Sequence, residues 1–236
     1  MNNSIHIIDN FPENYPRWRR VVANAMFFFG RIIIHNRKNH LNAEDLRGAS
    51  AALRKGDVVL VGGLRRLSSL LITGAVTHCL LYAGEKQFIH ACADGVGTIC
   101  LDEVFCEYDT MLILRIDHGS KKDIDEVIAF AKKQIGKPYD YEMEDDAHKF
   151  YCSELIYFAF DNAGLNIEIF DRKDIKRIHP LHYLGGRFKV IFKSHNLKIT
   201  NKSVEVIKEV GKRRIEILYY FFKYPVLIIR RLLTLG

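Results

Sequence analysis

Long hydrophobic runs are scarce in this sequence. No stretch reaches the length of a clean bilayer-spanning helix, so an integral membrane protein is not expected. Cysteine is sparse as well: five residues, with no CxxC pair and no even framework, argue against a disulfide-stapled domain and against a zinc ribbon. The N-terminus does not read as a signal peptide, so reduced thiols and a cytoplasmic setting are expected. No internal repeat and no low-complexity segment appear. Neither a nucleic-acid recognition motif nor an interleaved aromatic–basic stripe is present, and no nucleic-acid partner is expected.

What is there fits a globular chain of 236 residues, 48% hydrophobic and 27% charged, long enough for one full core plus appendages. The net charge of +7 gives a basic surface, for which anionic lipid is a natural partner.

The most informative stretch is Phe150-Tyr151-Cys152-Ser153-Glu154-Leu155. Leu155, Ile156, Ala159, Phe160 and Ala163 recur at helical spacing, and Gly164 ends the run. Cys152 therefore opens a helix, where unsatisfied N–H groups and the macrodipole favour an anion and lower a thiol pKa. A buried structural cysteine is the competing reading.

Upstream, Val76–Tyr82 and Lys86–Cys92 read as two strands around Ala83-Gly84-Glu85. A turn about Gly84 sets Tyr82 opposite Lys86, Leu80 opposite Phe88 and His78 opposite His90, with both imidazoles on one face. In that register Cys79 points to the other side and is expected to be inert. Two opposed histidines and a helix-opening cysteine supply nucleophile, base and orienting group. Zinc is a weaker alternative: His90 and Cys92 could share an ion, but His78 and Cys79 could not, and no metal or cofactor is expected.

Gly56-Asp57-Val58-Val59-Leu60, Thr77–Gly84, Gly136-Lys137-Pro138-Tyr139-Asp140-Tyr141 and Tyr151–Leu155 together resemble the permuted papain-like amidases, the YiiX/YaeF-like branch of the NlpC-type hydrolases. The resemblance covers roughly 51–193. It implies an α+β, circularly permuted papain-like fold, with an antiparallel sheet packed on the cysteine helix. It also implies a thiol hydrolase with Cys152 as nucleophile, His78 as base and His90 as the third polar residue. Tyr139 and Tyr151 would line the site or support the oxyanion. Histidine rather than glutamate at the third position is more like the lecithin–retinol acyltransferase-like branch, which handles acyl chains. Peptide, amide and acyl-lipid substrates all stay open.

Around residues 51–193 the sequence suggests two helical appendages. Residues 1–17 read as a loose arm, 18–34 as an apolar helix with arginines that either lies in a membrane interface or packs on the core, and 37–50 as a polar connector. Within the core, strands are expected at 57–61, 98–101, 110–116 and 187–193. Helices are expected at 64–72 and 121–135, the latter capped by Ser120 and Asp123. His179 and His182 fall in a loop as structural or exposed residues, and 142–146 reads as a solvated acidic loop. From 194 the chain is expected to be a basic, apolar helical segment, its 215–235 stretch broken by Lys223 and Pro225. Both ends suggest peripheral contact with anionic membrane.

Overall fold

The computed structural model describes residues 7–30, 41–64, 74–143, 148–167, 178–200 and 203–206. The expected helix at 64–72 (apart from Leu64), residues 31–34, Glu144–Asp146 and the 215–235 stretch lie outside them. Six strands form one antiparallel sheet: Val58–Gly62 (β1), His78–Gly84 (β2), Gln87–Cys92 (β3), Gly95–Cys100 (β4), Thr110–Ile116 (β5) and Phe188–Lys193 (β6). Their order is β4-β3-β2-β1-β5-β6.

Helices cover both faces of this sheet. Val58, Leu60, Cys79, Leu81, Ile89 and Ala91 share one core with the helices Lys121–Lys133 (α4) and Cys152–Asn162 (α5). On the opposite face, Val59, Val61, Leu80 and Phe88 pack with Ala43–Ala52 (α2) and Leu101–Glu107 (α3). Central β1 is thus buried on both sides, and so it reads as an unbroken apolar run rather than an alternating one. Each buried Val or Leu side chain contributes roughly 1.5–3 kcal/mol.

Several flanking segments differ from the expectations. The polar stretch 37–50 contains a helix, not a connector. Asn42 accepts from the N–H groups of Glu44 (2.8 Å) and Asp45 (2.9 Å), while Asp45 accepts from Asn42 N–H (3.0 Å), a complete capping box. Residues 101–107 are helical rather than the end of a strand, because Leu101, Val104 and Phe105 bury one face and Glu103 caps the Cys100 N–H at 2.8 Å.

The described part of the N-terminal arm is docked, not loose. Asn10 donates to the carbonyls of Asp94 and Gly136, and Phe11 and Tyr15 stack together against Tyr141. Helix α1 (Arg17–Gly30) follows it. At the other end, Leu197–Thr200 (β7) and Ser203–Val206 (β8) pair as antiparallel strands instead of helix. Period-two alternation of Leu197/Ile199 and Val204/Val206 favours strand there, and Leu197 and Val204 join the core. The Ser120/Asp123 cap of α4 is formed as expected.

The β2–β3 pairing is shifted by two residues from the expected register, because the chain turns at Glu85–Lys86 rather than about Gly84. Glu85 and Lys86 occupy left-handed φ values of 54° and 60°, following Gly84 at 97°. These are the values of a two-residue turn whose twist suits a hairpin. Tyr82 therefore pairs with Phe88 and Leu81 with Ile89, and a bulge lies between Tyr82 and Gly84. A slip of two, unlike a slip of one, keeps every side chain on its face. His78 and His90 become diagonal rather than directly opposed neighbours.

Candidate active site

Cys152 is the first residue of α5, and His78 is the first residue of β2. Helix α5 packs on β2, so these two opening residues belong to neighbouring elements. Glu154, buried one turn into α5, accepts from the N–H of the cap residue Tyr151 at 3.3 Å and completes the helix start.

The Cys152 sulfur is held well below the ordinary thiol range. The largest cause is a hydrogen bond from the side chain of Cys79. Burial opposes it, and the charge and hydrogen bond of His78, with the Cys79 backbone N–H, complete the effect. The expected facing of Cys79 is found. Strand alternation does send it away from His78, but the face it turns to is the one on which α5 packs. Burial and the neighbouring Cys152 push the Cys79 thiol up, so it keeps its proton and acts as the donor.

His78 Nε2 lies 3.0 Å from His90 Nδ1. His90 is buried, and desolvation together with the nearby His78 push its pKa down to about 3. A neutral His90 can accept at Nδ1 from His78 Nε2–H, an arrangement that would leave His78 Nδ1 free for the Cys152 sulfur. The His78 ring also stacks on Tyr108, with centroids 5.9 Å apart and an 11° interplanar angle, a contact for which the sequence offered no signal.

Tyr139 is bridged by its backbone to Phe150, two residues before Cys152, and burial and the charge of Cys152 push its hydroxyl well up. It stays a neutral O–H donor beside the sulfur. The Tyr151 hydroxyl, also raised by burial, to about 12, is committed to holding a loop: it accepts from Ile178 N–H at 3.0 Å. Asp140 sits buried beneath, taking the N–H groups of Glu142 and Met143 and the Lys149 ammonium. Glu142 pairs with Arg19 and Lys149, so the described start of the acidic loop is ion-paired rather than merely solvated. Among the described residues, no group of three His, Cys, Asp or Glu side chains is placed to hold a metal ion.

The family model described as permuted papain-like amidase enzyme, YaeF/YiiX, C92 family, matches residues 52–180, more than half of the chain. The chain belongs to this family. As a C92-family protein it is a cysteine hydrolase of the amidase type, with the histidine strand preceding the cysteine helix along the chain. Among solved structures, metalloprotein yiiX from Escherichia coli O157:H7 is similar, at 16% identity and a TM-score of 0.48, over 60% of this chain and 98% of that one. No curated protein matches.

Proposed function

We propose that this C92-family protein cleaves an amide or ester through an acyl-enzyme on Cys152. The observation that supports the reading is the 3.0 Å contact between His90 Nδ1 and His78 Nε2, beside a Cys152 thiol that His78 helps to hold below its ordinary pKa. His78 takes the thiol proton, and the thiolate forms a bond to the substrate carbonyl carbon while the π pair moves onto oxygen. Collapse of this tetrahedral species expels the leaving group, protonated by His78, and leaves a thioester. Water or another nucleophile then releases the acyl group. Backbone N–H groups at the start of α5, with the Tyr139 hydroxyl, would support the oxyanion. His90 fixes the His78 tautomer, more weakly than a carboxylate would because it brings no charge. An acyl group trapped on Cys152 and weighed by intact mass tests this reading and identifies the substrate class. Recovery of the acyl adduct on another residue would overturn it.

A second reading, that the substrate is an acyl lipid met at an anionic membrane surface, is favoured by the outer side of α1. Trp18, Val22, Ala25 and Phe29 fall on one line of this helix, flanked by Val21, Met26 and Phe28, and all are solvent-exposed, Val21 by 70% and Phe29 by 55%. The inward side carries Ala23 and Asn24, whose amide holds the arm at Ile8. Arg17, Arg19 and Arg20 sit in the first turns and no acidic residue does. An apolar outer face with basic residues suits a lipid interface. Among the described residues, no helix is long and apolar enough to cross a membrane.

A further inference from the structure

Residues 178–183 return to the start of α5, beside Cys152. Three hydrogen bonds bolt them to the start of α5: Ser153 Oγ donates to the Ile178 carbonyl (2.7 Å), Ile178 N–H donates to the Tyr151 hydroxyl (3.0 Å), and the Tyr183 hydroxyl donates to the Ser153 carbonyl (2.6 Å). The anchors on α5 are the two residues that flank Cys152. His179 therefore directly follows the residue that is bonded to both neighbours of Cys152.

The tautomer of His179 is set by its own loop. Its Nδ1 accepts the N–H of Leu181 at 3.2 Å, capping the 3-10 turn Pro180–Tyr183. Half-buried and desolvated, the ring is held neutral, so its one proton is on Nε2. With Nδ1 occupied and Nε2 protonated, His179 cannot act as a second base, and it brings no cation to stabilise the resting thiolate. Its backbone N–H is spent on His182 Nδ1 (3.0 Å). What it offers the site is one neutral N–H donor, and no other described residue takes that proton.

We infer that His179 is a further catalytic residue, its Nε2–H donating to the oxyanion that forms when Cys152 attacks a carbonyl. This rests on the acyl-enzyme reading above. The hydrogen bond strengthens as the π pair moves onto oxygen and relaxes as the C=O re-forms with loss of the leaving group. No proton is transferred to or from the ring. A neutral, pre-positioned donor serves the transition state more than the ground state, as the attack step requires.

The test uses p-nitrophenyl acetate as the acyl probe and iodoacetamide as the control, on the full chain. In His179→Asn the shorter amide oxygen can still cap Leu181 N–H, but no donor reaches the Nε2 position. Acylation, read as the p-nitrophenolate burst, should slow by about 10²-fold with KM within about twofold, the usual scale for losing one oxyanion donor. Alkylation of Cys152 by iodoacetamide, a displacement that builds no oxyanion, should stay within about twofold. His179→Gln, whose amide N–H reaches further, should recover part of the rate. Acylation at the wild-type rate in His179→Asn overturns the inference. So does a parallel fall in acylation and alkylation, which would mean a purely structural loop. If wild type and Cys152→Ala give the same burst, the acyl-enzyme reading fails and the role of His179 falls with it.

Discussion

Cys79 and Cys152 share one buried core beneath α5, and the Cys79 side chain is the largest of the influences that hold the Cys152 pKa down, ahead of His78. Cys79→Ala should therefore move the pH profile of iodoacetamide labelling at Cys152 to higher pH, because the thiolate loses its largest stabiliser. Cys79→Ser, which restores a donor, should move it back. An unshifted profile in Cys79→Ala would show that His78 alone activates the thiol.

Cys152→Ala and His78→Ala should each lower acyl transfer by about 10⁴-fold or more, since the two act in one step and their losses do not add. His90→Ala should cost less, about 10²-fold, because it removes only the acceptor that orients His78. Circular dichroism of the three variants should be unchanged at neutral pH. Equal losses in all three would give His90 a larger share than orientation.

His90 should also make the fold acid-sensitive. Its pKa is about 3 folded against an ordinary 6.5, so below pH 6.5 the unfolded chain binds a proton that the folded one refuses. Stability is complete above about pH 6.5 and declines as pH falls toward about 3, by on the order of 5 kcal/mol in all. His90→Gln should flatten this decline, measured as the urea midpoint at pH 7 and pH 4. Identical pH slopes would mean that burial of His90 is relieved before it titrates.

Trp18 is the chain's single tryptophan and sits on the outer line of α1. Its emission should shift to the blue on addition of vesicles containing phosphatidylserine. Val22→Glu with Phe29→Glu should abolish the shift and leave Cys152 labelling unchanged, since both side chains are exposed. Raised salt should weaken binding without removing it, as screening acts on the arginines and leaves the apolar contact. Emission indifferent to vesicles at low salt would favour a soluble amidase.

The strands and the cysteine helix were legible because their apolar residues follow a period of two or 3.6 with few interruptions. The pairing of His78 with His90 was reached through a register that was off by two residues, an error that parity forgave. The true turn was hidden because Glu85 and Lys86 adopt φ values usually left to Asn and Gly. For α2, Asn42 and Asp45 spelled out a capping box that the polar composition obscured. Cys79 and His179 were not legible as site residues. Their roles depend on which layer α5 covers and where residues 178–183 return, and both are settled by packing between distant parts of the chain.

The order of the elements along the chain has a consequence for how the protein matures. His78 on β2 is synthesised first, Cys152 on α5 follows, and the bolts at Ile178 and Tyr183 come later still, with strand β6 after them. A ribosome-bound chain ending near residue 165 would thus hold Cys152 without the clamp that seats the start of its helix. Domains tend to fold as units while they emerge. A chain stopped at that point should therefore label more slowly with iodoacetamide at Cys152 than the full chain does.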